Sequence, residues 1–255
     1  MILAIDIGNS NVVVGVYNDK LRTTYRMQTL LNETADGYGI RIYNLLKHDG
    51  YQDTDFDGII IASVVPVLDY TFSRLCVKYF HQEPMFVMPG IKSGIKIKLD
   101  NPKQLGADLL VAAVAASHKY SLPLIIIDMG TAITISVVDS ERAFVGGIIY
   151  PGISTSFNSL TKSTAKLEEV RFEKINTLIG KDTISSIQSG MLYGTGSMLD
   201  GMIIKIKRAY PEAVVILTGG HSRVLKEYMD EEVILDMDLV LDGLRIVYDK
   251  NKKSK

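Results

Sequence analysis

The chain opens on an apolar run interrupted by one acid, MILAIDIG (residues 1–8). A run this dense is the signature of a strand buried on both faces. NVVVGVYND (11–19) follows with β-branched residues and a turn signal at Asn18-Asp19, and KLRTTYRMQT (20–29) makes a third strand, so the chain begins as a three-stranded meander. ADGYGIRIYNLLKHDG (35–50) has apolar positions at helical spacing and ends at Gly50. FDGIIIASVVP (56–66) is a continuous apolar strand, VLDYTFSRLCVKYFH (67–81) a helix, EPMFVMPG (83–90) a short strand and GADLLVAAVAASHKY (106–120) a helix.

The pattern then starts again. LPLIIIDMG (122–130), TAITISVVDS (131–140) and ERAFVGGIIYPG (141–152) read as three more strands. Helical segments run through SSIQSGMLYGTGSMLDGMIIKIKRAYP (185–211). EAVVILTGG (212–220) is a late strand, SRVLKEYM (222–229) a helix and LVLDGLRIVYDKN (239–251) a closing helix. Each half holds three strands and then alternating helices and strands, which predicts an α/β protein of two mixed sheets covered by helices, built as a diverged internal duplication. No Pro/Gly/Ser-rich linker separates the halves. The expected boundary lies in SHKYSLP (117–123), giving domains 1–118 and 119–255.

Length and composition agree with two domains: 255 residues, 47% hydrophobic and 22% charged. A formal net charge of −1 offers no broad basic surface, so neither a nucleic-acid nor a membrane partner is expected. The single cysteine, Cys76, excludes an intrachain disulfide, and its helical setting predicts a small buried apolar residue. Asp6 interrupts the first run too early for a signal-peptide core, and no apolar run approaches a membrane span, so a cytoplasmic location is expected. The basic tail DKNKKSK reads as a frayed, solubilising end.

The candidate chemistry lies in a repeated turn. DIGNSN (6–11) and DMGT (128–131) each follow a strand and open a hairpin, 122 positions apart (128 − 6). A glycine there lets backbone approach a ligand closely, and the N–H groups and small polar side chains of Asn9, Ser10 and Asn11 suit phosphate oxygens. The aspartate reaches phosphate through a cation, which favours oxygen ligands. TGGHS (218–222) adds a Gly219-Gly220 pair after a strand, suited to a nucleoside on bare backbone, with His221 beside it. One such turn alone is an ordinary loop; the pairing makes it a phosphate clamp. No P-loop, nucleophile elbow or Cys/His metal signature is present, and His48, His81 and His118 read as surface or helix-end residues. Asp108 in LGADLL is a candidate base for a substrate hydroxyl, since phosphoryl transfer needs positioning, charge neutralisation and a proton acceptor. It equally suits a helix first turn, where an acid contributes about 0.3–1 kcal/mol, and spacing alone leaves the two readings balanced.

In order and spacing, DIGNSN, DNPKQLGAD, DMGTAIT, GGIIYPGI, GKDTISSIQSGMLYG and TGGHS resemble the type III pantothenate kinases over essentially the whole chain. The resemblance implies two ribonuclease-H-like domains of the acetate kinase, sugar kinase, Hsp70 and actin superfamily. It implies transfer of phosphate from ATP to pantothenate, giving 4′-phosphopantothenate and ADP, the first step toward coenzyme A. It further implies a phosphate loop over Asp6, Ile7, Gly8, Asn9, Ser10, Asn11, Val12 and Val13, with Asp6 near Mg²⁺ through water. By the same resemblance Thr131 contacts ATP, Gly219 and Gly220 lie near adenosine, and Asp128 binds a monovalent cation, K⁺ or NH₄⁺. Asp108 is implied as the base, Gly106, Ala107 and Thr183 as pantothenate contacts, and a homodimer with the substrate site at its interface is implied too.

Two positions depart from the family's usual pattern, both on the acceptor side. Leu109 follows Asp108 where arginine is usual, and Leu99 precedes Asp-Asn-Pro where tyrosine is usual. The missing guanidinium removes a pre-organised fork for a carboxylate. Lys103 and Lys166 are candidate replacements. Two alternative functions stay open at this point: a nucleotide-binding paralogue with a changed acceptor, and a regulatory protein like the Bvg accessory factors of the same family.

Overall fold

A computed structural model describes residues 1–162 and 174–252, so Lys166 and the end of the basic tail lie outside the described residues. The chain divides into two compact units. One comprises 1–95, 100–115 and 238–255, the other 96–99 and 116–237.

The first unit is built on a five-stranded sheet. Strands β1 (Ile2–Ile7), β2 (Asn11–Tyr17) and β3 (Leu21–Gln28) form the expected meander, and β4 (Gly58–Ser63) and β5 (Met85–Phe86) extend it in the order β3-β2-β1-β4-β5. β2 is antiparallel to β1, whereas β4 is parallel to it. One sheet face carries Leu3, Ile5, Ile7, Val12, Val14, Ile59 and Ile61 in a core with Tyr38 and Ile42 of helix α1 (Ala35–His48) and Leu68, Phe72 and Leu75 of helix α2 (Pro66–Phe80). Tyr38 and Phe72 stack tilted at 4.9 Å. Cys76 is fully buried in this core, and burial pushes its thiol up to about 12, so it packs as an apolar residue.

The second unit repeats the plan. Strands β7 (Leu124–Met129), β8 (Ala132–Val138) and β9 (Ala143–Pro151) form a second meander, and β10 (Val214–Thr218) is parallel to β7. The two-residue strands β6 (Lys96–Ile97) and β11 (Ile234–Leu235), too short to leave a pattern in the sequence, complete a sheet of order β11-β10-β7-β8-β9-β6. Ile125, Ile127, Met129, Ile135, Val215 and Leu217 pack on Leu192, Leu199 and Ile203 of the long helix α5 (Thr183–Lys207). Helix α4 (Ile153–Lys162) precedes α5, and the short helix α6 (Ser222–Leu225) follows β10.

The duplication is visible residue by residue. β1 and β7 share one sequence of burial along their six positions, and β2 and β8 share another along seven. A register shift falls between Val16 and Tyr17 in the β2–β3 pair and between Val137 and Val138 in the β8–β9 pair, an offset of 121 in both (137 − 16). A bulge placed alike in both copies belongs to the inherited frame.

The division differs from the expected cut at residue 118. Helix α3 (Ala107–Lys119) contributes residues to both units, and the closing helix α7 (Leu239–Asn251) belongs to the first unit although it ends the chain. The reason is packing. Leu239, Leu241, Leu244 and Val247 are buried, Asp242 accepts a 2.5 Å hydrogen bond from Tyr17, and Asn251 exchanges hydrogen bonds with the backbone of Lys92. Residues 96–99 join the second unit because Lys96 and Ile97 pair with β9. Among the described residues no helix is long and apolar enough to cross a membrane.

Candidate functional site

In the first unit, β1 is the strand at which the connections diverge, with β2 on one side and β4 on the other. Ligands of open α/β sheets collect beyond the carboxyl end of such a strand. Asp6 lies near that end, half-buried, and the turn after it is held by its own backbone. The Gly8 amide donates to the Asn11 carbonyl at 3.0 Å, the Thr29 amide to the Ser10 carbonyl at 3.0 Å and Thr29 Oγ1 to the Gly8 carbonyl at 2.7 Å. Asn9 and Ser10 are exposed at the tip. Thr29, which no sequence pattern singles out, thus fixes the turn from the end of β3.

The second unit builds the same turn and adds polar groups. The Gly130 amide donates to the Ala132 carbonyl at 3.0 Å, matching Gly8 and Asn11. Asp128 stands opposite Thr134 of β8 and Thr218 of β10, whereas Asp6 stands opposite Val13 and Ala62. Paired residues share a sheet face, so two threonines flank the second aspartate and two apolar residues the first. Thr134 Oγ1 is buried with no hydrogen-bond partner among the described residues, an atom that asks for a ligand. Gly219 has φ +91°, and a Cβ there would stand 2.5 Å from the Met129 amide nitrogen, so only glycine lets this turn close on the Asp128 turn.

Three turns of the second unit meet at this place. The His221 amide donates to the Met129 carbonyl at 3.4 Å, and the Thr131 carbonyl accepts from the Gly152 amide at 3.0 Å and from Thr155 Oγ1 at 2.6 Å. Ser154 Oγ lies 3.3 Å from His221 Nε2. Burial lowers the His221 pKa, while a hydrogen bond from its ring to the Met129 backbone pulls the other way, so the neutral ring is favoured. The structure therefore brings Asp128, Thr131, Gly219, Gly220 and His221 together. Ser154 and Thr155 join them unforeseen, and the signal was there in the Pro151-Gly152 break before a helix start.

In the first unit Asp108 occupies the first turn of α3, half-buried. Its Oδ1 accepts the Leu109 amide at 2.8 Å, and among the described residues no cationic side chain bonds it. Burial raises its pKa, and the Leu109 and Asp108 amides pull the other way. A Cβ on Gly106 would lie 2.6 Å from that carboxylate oxygen, so the glycine clears room around it. Ala107 and Leu109 are half-buried beside it, and exposed Lys103 lies in the 3₁₀ turn Pro102–Gln104.

Thr183 sits apart from the turn cluster of its unit. It begins α5 behind an N-cap in which Asp182 accepts the Ser185 amide at 2.9 Å, and with Lys181, Ser186 and Leu160 it lines an open pocket of about 650 Å³. Lys181, unremarkable within GKDT as sequence, is exposed and its ammonium makes no ion pair among the described residues. Next in sequence to its lining residues, Leu178, Ile179 and Ile184 are 59%, 77% and 46% exposed. Leu99 is half-buried just after β6. His48, His81 and His118 lie exposed at helix ends, as expected.

Two copies of a meander with parallel strands added beside its first strand, each with flanking helices, define the actin-like ATPase fold, the duplicated ribonuclease-H-like architecture. Solved structures bear this out at the level of fold. The activator of 2-hydroxyisocaproyl-CoA dehydratase from Clostridium difficile, bound to ADPNP, matches with a TM-score of 0.60 at 10% identity, over 98% of this chain and 94% of that one. A protein described as a Baf family transcriptional activator from Campylobacter jejuni matches at 0.57 and 21% identity, over 98% of both chains. The family model for type III pantothenate kinase matches residues 2–205. Type III pantothenate kinases of Exiguobacterium sibiricum and a Geobacillus species are 41% and 43% identical to it, over 99% and 100% of this chain and all of each relative. The chain belongs to the type III pantothenate kinase family.

Proposed function

We propose that the protein transfers the γ-phosphoryl group of ATP to the hydroxyl of pantothenate, giving 4′-phosphopantothenate and ADP, the entry to coenzyme A. The observation that carries the chemistry is Asp108. A desolvated carboxylate at a helix start, with its glycine neighbour cleared away and no cation bonded to it among the described residues, is a stronger base than a solvated one, and proton acceptance is what the acceptor hydroxyl requires.

Asp108 Oδ atoms take the hydroxyl proton as the oxygen attacks phosphorus. The turn from Asp6 to Val13 holds phosphate oxygens with its backbone N–H groups and the exposed Asn9 and Ser10 side chains. Thr131 adds a hydroxyl, and the Gly219–Gly220 backbone packs against the nucleoside. Mg²⁺ fits Asp6, since this ion keeps several waters and needs one or two carboxylates besides phosphate; no cluster of three ligating side chains occurs among the described residues to hold it otherwise. A monovalent cation fits Asp128, because one carboxylate with the Thr134 hydroxyl opposite it, unpartnered among the described residues, offers oxygen donors and a single charge. The cation supplies positive charge beside the phosphates.

Thr183 and the pocket it lines take the acceptor, with Lys181 available to its carboxylate in place of the arginine that Leu109 replaces. The exposed Leu178, Ile179 and Ile184, next in sequence to the pocket's lining residues, support a homodimer that covers them. A cytoplasmic location accords with ATP and a coenzyme precursor as substrates. Incubation with ATP, Mg²⁺, K⁺ and pantothenate, with ADP release and the mass of the product as readouts, tests the reading. ADP released equally without pantothenate, or not at all, sinks it.

A further inference from the structure

We infer that His221 is a positioning residue for the nucleotide, acting through Ser154: the pair ties the Gly219–Gly220 turn to the start of α4 and so fixes the backbone against which the nucleoside packs. The inference rests on the proposed placement of ATP and goes beyond it, since neither residue has a role there.

The geometry is a closed circuit of hydrogen bonds. From the nucleoside turn, the His221 amide reaches the Met129 carbonyl at the phosphate turn. From the phosphate turn, the Thr131 carbonyl is held by Gly152 and Thr155 at the start of α4. From α4, Ser154 Oγ returns to His221 Nε2 at 3.3 Å. Two of these links are largely backbone and survive most substitutions. The Ser154–His221 link alone depends on both side chains, and it closes the loop. A neutral imidazole accepts the serine proton at Nε2, so the bond needs no charge.

Gly219, with its positive φ, has no side chain to anchor the turn it begins. Helix α6 after it is only four residues long, and its N-cap, His221, makes no side-chain cap hydrogen bond. Ser222 Oγ ties the turn to itself through the Gly219 carbonyl at 2.6 Å, and the circuit adds the tie that runs out to α4. Loss of one ordinary hydrogen bond is expected to weaken nucleotide binding about two- to tenfold, because the turn must then be ordered by the ligand.

The test is a double-mutant cycle on the full chain: His221→Ala, Ser154→Ala and both together, with ADP affinity by calorimetry and KM values for ATP and pantothenate. Ser154→Ala is expected to raise the ADP Kd and the ATP KM about two- to tenfold, and His221→Ala by at least as much because its ring also bonds the Met129 backbone; both leave the pantothenate KM in place, and Ser154→Ala adds nothing in the His221→Ala background. His221→Gln, which keeps an acceptor near the Nε2 position, is expected to recover most of the loss. Additive effects, or an ADP Kd unchanged in both single variants that still fold by circular dichroism, overturn the inference. An equal rise in both KM values marks a merely structural residue and overturns it too. A wild-type protein that binds no ADP overturns the underlying placement of ATP before any variant is compared.

Discussion

Replacing Asp108 with asparagine should inactivate the enzyme and stabilise it. The substitution keeps shape and the acceptor oxygen, so the 2.8 Å bond from the Leu109 amide survives. What it removes is a charge in a desolvated place and the ability to take a proton. A general base contributes about 10²–10⁴-fold, or about 3–5 kcal/mol of barrier at about 1.36 kcal/mol per decade. The stability effect has the opposite sign. Because burial raises the Asp108 pKa in the folded chain, the folded state holds more protons than the unfolded one between the two pKa values, and stability falls as pH rises through that window. At neutral pH the ionised carboxylate is therefore destabilising, by about 1.4 kcal/mol for each tenfold gain in proton affinity on folding, and asparagine escapes that penalty. In a chain of this size about 1 kcal/mol moves Tm by about 2–4 °C. The gain should vanish below about pH 4, where the wild-type carboxyl is protonated in both states. The acid limb of wild-type kcat/KM should also lie above the ordinary carboxylate range. Turnover within about tenfold of wild type would refute the base. A Tm at pH 7 that is unchanged or lower would refute the desolvation argument even if activity is lost.

Activity should depend on K⁺ or NH₄⁺ and fall when Na⁺ or Tris replaces them; Thr134→Val, which installs the apolar residue found at the matching Val13, should weaken that dependence, and a salt titration of both proteins decides it. Leu109→Arg should lower the pantothenate KM by about tenfold, since a charge-assisted bond from a pre-organised fork is worth about 1.5–3 kcal/mol, with the ATP KM unchanged; an equal or higher pantothenate KM in a folded variant counts against it. Gly219→Ala should cost about 1–3 kcal/mol in chemical denaturation and raise the ATP KM, because alanine must hold φ +91° and clear the Met129 amide; wild-type stability would show that the turn relaxes freely.

The strands and helices were legible where periodicity is long. The runs carrying Asp6 and Asp128 announced two equivalent strands, and the structure repeats even their burial and the bulge in the strand pair that follows each. The paired turns were legible as glycine after strand. What stayed hidden depends on partners distant in sequence. Thr29 closes the first turn with its amide and its hydroxyl, and Thr218 flanks Asp128 only because β10 pairs beside β7. The allegiance of α7 was hidden for the same reason, since Asp242 looks like any first-turn acid until Tyr17 meets it. Asp108 illustrates the limit for function: its position was readable and its desolvation was not.

That last helix has a consequence for how the chain is made. The first unit is synthesised first, yet Leu241 and Tyr248, which lie against Gly15 of β2 and Gly58 of β4, come near the end of the chain. At about 5–20 residues per second, the 124 positions from Ala115 to Leu239 (239 − 115) take about 6–25 s to appear. During that interval the later-made unit gains strands β7 to β11 and helices α4 to α6 while the earlier one still has a sheet face without its cover. The usual order of vectorial folding is thus inverted, and nascent chains stalled before residue 239 should offer that apolar face to chaperones.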